Sequence, residues 1–261
     1  MKNIRFILKF IKYYLSAKSI RKIHSPFVFD LCEKVIFNNS SCLKNDYILV
    51  ESVRRKLRRN KKLIDVTDYG AGTANLFYKK SIAVIAKDYA KSSKYGQLLY
   101  RLIDNFRPES ILELGTSLGI STIYQALARE SKIITIEGCT QTASVAQENF
   151  KELDLQNIEL IVGNFDEILP HILKQIKQLD YVFFDGNHRK ETTIDYFEKC
   201  LLLAHKHSLF VFDDIHWSNG MEEAWRYIKT HPRVTVTIDL FFMGLVFFRK
   251  EQVKQDFVIR F

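Results

Sequence analysis

The chain reads as an α/β protein: a seven-stranded sheet of five parallel strands closed by an antiparallel hairpin, preceded by a basic, mainly helical N-terminal extension. Three observations predict this. From about residue 108 onward, short apolar segments alternate with helix-length stretches. The last two apolar segments lie too close together to contain a crossover. A glycine-bearing turn, ELGTSLG at 113–119, follows the first apolar segment.

The N-terminal extension comes first. Ile4, Ile7, Leu8, Ile11 and Leu15 recur at helical spacing, and Lys2, Arg5, Lys9 and Lys12 form a second stripe. Such an amphipathic helix ordinarily turns its apolar side to a core; the alternative is peripheral contact of residues 1–20 with an anionic membrane. Residues 26–59 continue as helical patterns joined by the polar NNSSC segment, and RRKLRRNKK at 54–62 reads as a solvated helix face. SIAVIAKDYA and KYGQLLYRLIDNF read as helices that lead into the sheet. The division expected is an extension or lid over 1–92 and a main domain over 93–261.

The strands of the main domain read ILELG (111–115), KIITIEG (132–138), IELIVG (158–163), YVFFDG (181–186) and SLFVFDD (208–214), with helices at 121–130, 141–153, 166–178 and 191–204 between them. Nearly continuous apolar strands separated by helices mean a parallel sheet covered on both faces. After a helix at 221–230, VTVTIDL and GLVFFRK follow with only LFFMG between them. A parallel pair needs a crossover of about a dozen residues, so these two form a hairpin.

Composition sets the class. The 261 residues are 47% hydrophobic, enough for a buried core. No apolar stretch approaches the roughly 18–20 residues of a membrane span, and the first 25 residues carry lysines throughout and lack a secretory cleavage site. A cytoplasmic protein is expected. Cys32, Cys42, Cys139 and Cys200 form no C-x-x-C pair, which argues against structural zinc and a disulfide framework. The net charge of +9 is uneven: residues 1–62 hold 16 Lys and Arg against 4 Asp and Glu, and the remainder holds 23 against 26. Such a split suggests an anionic partner for the N-terminal portion.

Two stretches resemble nucleotide-binding turns: DYGAGT at 68–73 and ELGTSLG. After Gly72 the next apolar segment, IAVIA at 82–86, begins within ten residues. That gap cannot hold a crossover helix, so DYGAGT is expected to be a turn of the extension. ELGTSLG is followed by a helix-forming stretch and then by a strand ending in Glu137, 18 residues past Gly119. Glycines there allow positive φ and close approach of a ligand, and a strand-end carboxylate can accept both hydroxyls of a ribose. The spacing is G-x-x-x-G, with Thr122 in place of a third glycine, which disfavours a dinucleotide pyrophosphate. A short turn preceded by the acid Glu113 suits a cofactor with a cationic amino-acid end, S-adenosylmethionine.

Residues 95–249 resemble a class I S-adenosylmethionine-dependent methyltransferase of the O-methyltransferase branch around catechol O-methyltransferase and the macrocin-type sugar enzymes. The stretches that carry the resemblance are YGQLLYRLI, ILELGTSLGISTIYQA, IITIEG, VGNFDEILP, YVFFDGNH and LFVFDDIHW. It implies a Rossmann-like seven-stranded methyltransferase sheet. It further implies that Glu113, Gly115, Ser117, Gly119 and Ser121 surround the methionine end, and that Glu137 and Gly138 meet the ribose. Asn164, Phe165 and Asp166 would border the adenine, with Asp185 nearby.

Asp185, Asp213 and Asp214 fall at the ends of adjacent strands, which run roughly 5 Å apart. Clustered carboxylates repel unless protonated or bridged by a cation, and oxygen ligands suit Mg2+. The alternative is that Asp185 borders the cofactor while Asp213 and Asp214 cap the next turn. The resembling enzymes bind a divalent ion at these points; the sugar branch has Asp-Asp at the second, as here, and the catechol branch Asp-Asn. His188 stands where the catechol enzymes place their catalytic lysine, and an imidazole can take a hydroxyl proton as the methyl arrives. His216 and Trp217 are candidates to line the acceptor pocket.

The function expected is therefore methyl transfer to a small hydroxylated acceptor. Two rivals stand beside it. One is methylation of RNA or another polyanion docked on the basic extension, which the sequence DGNH in place of an N-P-P-[YFW] motif disfavours. The other is a non-enzymatic membrane-surface protein with a vestigial fold. A homodimer stays open.

Overall fold

The computed structural model describes residues 2–38, 45–69 and 76–261. The helices are α1 (Lys2–Ser16), α2 (Pro26–Leu31, continuing as a wider helical turn to Ile36), α3 (Asn45–Arg59), α4 (Ile82–Asp88), α5 (Ser93–Phe106), α6 (Ile120–Ala128), α7 (Thr140–Glu152), α8 (Phe165–Gln175), α9 (Lys190–Leu201) and α10 (Asn219–Thr230). The strands are β1 (Leu63–Asp68), β2 (Leu76–Ser81), β3 (Ser110–Leu114), β4 (Lys132–Glu137), β5 (Ile158–Val162), β6 (Leu179–Phe184), β7 (Ala204–Asp213), β8 (Val236–Asp239), β9 (Met243–Phe247) and β10 (Gln255–Val258). Eight of these strands make one sheet in the order β10-β8-β9-β7-β6-β3-β4-β5. The chain divides into two compact units, residues 38–171 and residues 1–37 with 172–261. The boundary expected near residue 92 falls between α4 and α5, inside the first of these.

In the unit 38–171, β3, β4 and β5 run parallel, with Glu113 opposite Thr135 and Glu137 opposite Val162. One buried cluster joins Tyr47, Val50, Val53 and Leu57 of α3 to Ile82 and Ile85 of α4, Ile123 and Tyr124 of α6, and Phe150 of α7. Side chains of the extension from Tyr47 to Ala86 are thus part of this core. Glu51 makes the polar counterpart, accepting from Ser93 (2.7 Å), Tyr124 (2.8 Å) and Arg54 (3.0 Å). Burial raises its carboxyl, but these donors outweigh it and hold it below the usual range. The extension also contains a hairpin absent from the expectation: β1 pairs antiparallel with β2, Leu63 opposite Ser81. Gly70–Thr73 of the DYGAGT stretch lie outside the described residues, as do residues 39–44 of the polar linker, Cys42 included.

In the other unit, β6 and β7 are parallel, and β9 runs against both β7 and β8. The hairpin of the last two apolar segments is therefore present. An eighth strand was not expected: β10 pairs parallel with β8 through the backbone of QDFV. Its sequence carries only two apolar side chains, so no apolar run announces it. Tyr181 to Phe184 and Leu209 to Phe212 are buried on both faces, as a covered parallel sheet requires.

Helix α1 corrects the expectation for its apolar stripe. Its packed side is Phe6, Tyr13 and Ala17 against Phe241, with Phe10 edge-on to the Phe241 ring at 5.0 Å. Ile4, Ile7, Leu8, Ile11 and Leu15 face outward. No helix among the described residues is long and apolar enough to cross a membrane.

Candidate functional site

The turn between β3 and α6 is shaped by its backbone. Gly115 (φ 109°), Ser117 (φ 49°) and Gly119 (φ 84°) all take positive φ, which glycine tolerates and serine does at a cost. A Cβ on Gly119 would also lie 2.6 Å from the Phe150 ring. The turn is tied to β4 by the amide of Gly115, which donates to the Ile136 carbonyl (3.0 Å), and to α7 by Asn149, which donates to the Leu118 carbonyl (3.0 Å).

Glu113 is fully buried beneath this turn. It accepts from Thr122 (2.5 Å), Thr135 (2.7 Å) and Gln125 (2.8 Å), and so fastens β3 to α6 and β4. Burial pushes its carboxyl pKa up, opposed by donors including Thr122, Thr135, Ser121 and Gln125. Ser121 is itself buried. Glu137, at the tip of β4, accepts from the backbone amides of Ser117 (2.7 Å) and Cys139 (2.9 Å). Burial raises this carboxyl too, against the lowering pull of those amides. Beside it, the Gly163 amide donates to the Glu137 carbonyl (2.9 Å), which joins the ends of β4 and β5. Asn164 then opens α8, its side chain accepting from the Asp166 amide (3.1 Å), with Phe165 half-buried and Asp166 exposed. The unit 38–171 therefore gathers at neighbouring strand ends all the residues assigned from sequence to the cofactor, Asp185 excepted.

Tyr69 was not singled out from sequence. A Cβ on Gly138 would lie 2.7 Å from its ring, so the ring occupies the place of a side chain at the tip of β4. Gly138 does not have positive φ; its glycine leaves room for Tyr69. Strand β1 is held there by Gln141, which accepts from the Asp65 amide (3.1 Å), and by Cys139, whose sulfur accepts from the Thr67 amide (3.5 Å). The only signal in the sequence was a glycine directly after the strand-end acid.

In the other unit, β6 and β7 end side by side, with the Phe184 and Phe212 rings stacked 4.2 Å apart. Just beyond them Asp185, His188 and Asp213 each bring one ligand atom within 4.8 Å of the others. Asp213 is buried; Asp185 and His188 are half-buried, with His188 Nε2 3.9 Å from Asp185 Oδ1. Asn187 shapes the turn carrying His188: it takes φ 52°, donates to the Tyr196 hydroxyl (3.1 Å) and accepts from Arg189 Nε (2.8 Å). Asp214 is not in the three-residue group; it too takes positive φ, and its amide donates to the Phe242 carbonyl (2.6 Å).

The two carboxylates offer oxygen ligands that suit a hard divalent ion such as Mg2+, and the imidazole beside them offers a base. His216 is engaged elsewhere. Its Nδ1 meets Glu222 (3.0 Å), its Nε2 meets Asp239 (2.8 Å), and its ring stacks on Phe241. Trp217 is exposed and lies edge-on to Phe6.

Comparison with known proteins shows what this arrangement is similar to. Residues 112–215 match the model of a methyltransferase domain. The transmembrane O-methyltransferase homolog of Rattus norvegicus is 39% identical over 84 residues, 31% of this chain and 33% of that one. The catechol O-methyltransferase of Niastella koreensis is 31% identical over 128 residues, 48% of this chain and 57% of that one. The matches thus span about a third to just over half of these relatives. Among solved structures, the O-methyltransferase TomG of Streptomyces achromogenes, in complex with S-adenosylmethionine, superposes with a TM-score of 0.54 at 26% identity, covering 62% of this chain and 82% of its own. An O-methyltransferase of Bacillus cereus shares the fold at a TM-score of 0.57 and 19% identity, covering 79% and 94%. Over residues 112–215 the chain carries a methyltransferase domain, and in sequence and fold it is similar to S-adenosylmethionine-dependent O-methyltransferases.

Proposed function

We propose that this chain transfers the methyl group of S-adenosylmethionine to a hydroxyl of a small acceptor, assisted by a divalent ion. The observation that carries the reading is the convergence of Asp185, His188 and Asp213 just past β6 and β7, in a domain whose relatives include a catechol O-methyltransferase.

On this reading Glu137 accepts the ribose hydroxyls. The ribose hydroxyls would share its lone pairs with the amides of Ser117, Cys139 and Gly138 and with Thr142. Tyr69 and Gly138 border the same sugar, Ser117 and Ser121 the methionine end, and Asn164 to Asp166 the adenine. Glu113 acts one step back: its saturated carboxylate sets the turn and adds negative potential under the sulfonium. Asp185 and Asp213 would hold the ion, which when bound orients the acceptor and acidifies its hydroxyl. His188 takes the hydroxyl proton as the oxygen attacks the methyl carbon; the C–S bond breaks and its electron pair stays on sulfur, giving the neutral thioether. Alignment of oxygen, carbon and sulfur supplies the rest of the acceleration.

Calorimetry with S-adenosylhomocysteine, followed by turnover of a panel of diols with and without chelator, tests the reading. Micromolar binding with chelator-sensitive turnover is the expected result. Absence of binding at millimolar ligand would end it, and full turnover in chelator would remove the ion from it.

A further inference from the structure

Helix α1 has two apolar faces, and only one is packed against other described residues. Phe6, Phe10, Tyr13 and Ala17 pack around Phe241. Ile4 (63% exposed), Ile7, Leu8 (58%), Ile11 and Leu15 (78%) point away from it. Single exposed apolar side chains are ordinary, but five along one side of a 15-residue helix make a continuous stripe, which marks an interaction surface.

Charge identifies the occupant. The helix contains no acidic residue. Lys12 is exposed three residues from Leu15 and four from Leu8, so it borders the stripe. Lys18, Arg21 and Lys22 follow, all exposed, and Arg260 stacks 4.0 Å from the centre of the Tyr14 ring. A second copy packed on the stripe would set these cations against their own equivalents with no acid on the helix to offset them. A nucleic acid would meet isoleucine and leucine where it needs cations. An anionic bilayer satisfies both parts: acyl chains take the stripe, and headgroup phosphates take the cationic rim.

The helix is also held in place beforehand. The Tyr13 hydroxyl donates to the Ile259 carbonyl, the Lys18 amide to Val258 (2.8 Å), and the Phe261 amide to the Tyr13 hydroxyl (3.2 Å). Lys9 bonds Glu222 at 3.0 Å on the inner side. Little ordering cost is left for the moment of contact.

We propose that α1 is a peripheral anchor that lies in the headgroup region of an anionic bilayer through Ile4, Ile7, Leu8, Ile11 and Leu15. It is independent of the reaction proposed above. Flotation of the full chain with vesicles of phosphatidylglycerol and phosphatidylcholine, against phosphatidylcholine alone, tests it. The wild-type chain is expected to float with the anionic vesicles at low salt and progressively less as salt rises. Leu8→Glu with Ile11→Glu should lower the bound fraction on the order of tenfold or more while Tm and S-adenosylhomocysteine affinity stay unchanged, because both side chains face outward. Lys12→Glu with Lys18→Glu leaves the apolar stripe intact and should weaken binding to anionic vesicles alone. The proposal is overturned if the wild type stays with the unbound fraction at low salt, or if neither pair of substitutions reduces flotation. A concentration-dependent dimer dispersed by Leu8→Glu and Ile11→Glu would assign the stripe to a second copy and overturn it equally.

Discussion

Two sets of acids stand at strand ends in this chain, and they are built in opposite ways. Glu113 and Glu137 are surrounded by donors: Thr122, Thr135, Gln125 and Ser121 around the first, and the Ser117, Cys139 and Gly138 amides with Thr142 around the second. Asp185 and Asp213 stand close to one another and to His188, whose ring nitrogen is 3.9 Å from Asp185, beyond hydrogen-bond reach. The first set is finished before any ligand arrives, so its geometry is preorganised for one shape. The second gathers like charges, which favours a cation among them. A cofactor of fixed structure suits the former; a hydroxyl that must be deprotonated suits the latter.

Substitutions should separate the two sets. The largest effect is expected at His188: His188→Asn should lower kcat on the order of 100- to 1000-fold, with S-adenosylhomocysteine affinity kept. Asp185→Asn with Asp213→Asn should likewise spare the affinity and remove sensitivity to chelator. Glu137→Ala should do the reverse, weakening S-adenosylhomocysteine binding by roughly 100-fold in calorimetry, since hydrogen bonds to a charged group are at stake. If Glu137→Ala bound normally, the assignment of the sugar to β4 would fail.

Gly119→Ala adds a methyl 2.6 Å from Phe150 at φ 84°. It should cost about 2–3 kcal/mol in chemical denaturation through overpacking and backbone strain. His216 gives a pH test of the other unit. Burial pulls its imidazole down, but Asp239 and Glu222 outweigh this and raise its pKa. Its contribution is complete below the unfolded value of about 6.5 and is lost as pH rises through the raised folded value. The Tm difference between wild type and His216→Asn should therefore shrink on going from mildly acidic to alkaline buffer. Smallest is Tyr69→Ala, expected to weaken cofactor binding a few-fold, consistent with a partly exposed ring worth about 1 kcal/mol.

The parallel strands and the acids at their tips were legible because buried strands are continuous apolar runs and ligands gather at their carboxyl ends. The division of labour between the acids was less so. Sequence offered Glu113 to the cofactor, but Thr122, Gln125 and Thr135 claim its oxygens. His216 was offered to the acceptor, and two carboxylates hold it instead. Spacing alone does not reveal such pairings, which depend on side chains 6–23 positions apart in the chain. Helix α1 shows the same limit more sharply. Its Ile and Leu stripe and its Phe6, Phe10, Tyr13, Ala17 stripe are both periodic, and the choice between them was made by Phe241, far along the chain. Strand β10 left no apolar run because it joins the sheet at its edge.

The hydrogen bonds from Tyr13 to Ile259 and from Lys18 to Val258 have a consequence for synthesis on the ribosome. The first spans 246 positions, so α1 is made well before its partner strand and finds its seat only once Val258 and Ile259 have followed. Until then both greasy sides of the helix are bare, and a nascent chain in that condition is a natural client for a chaperone or for the nearest lipid surface.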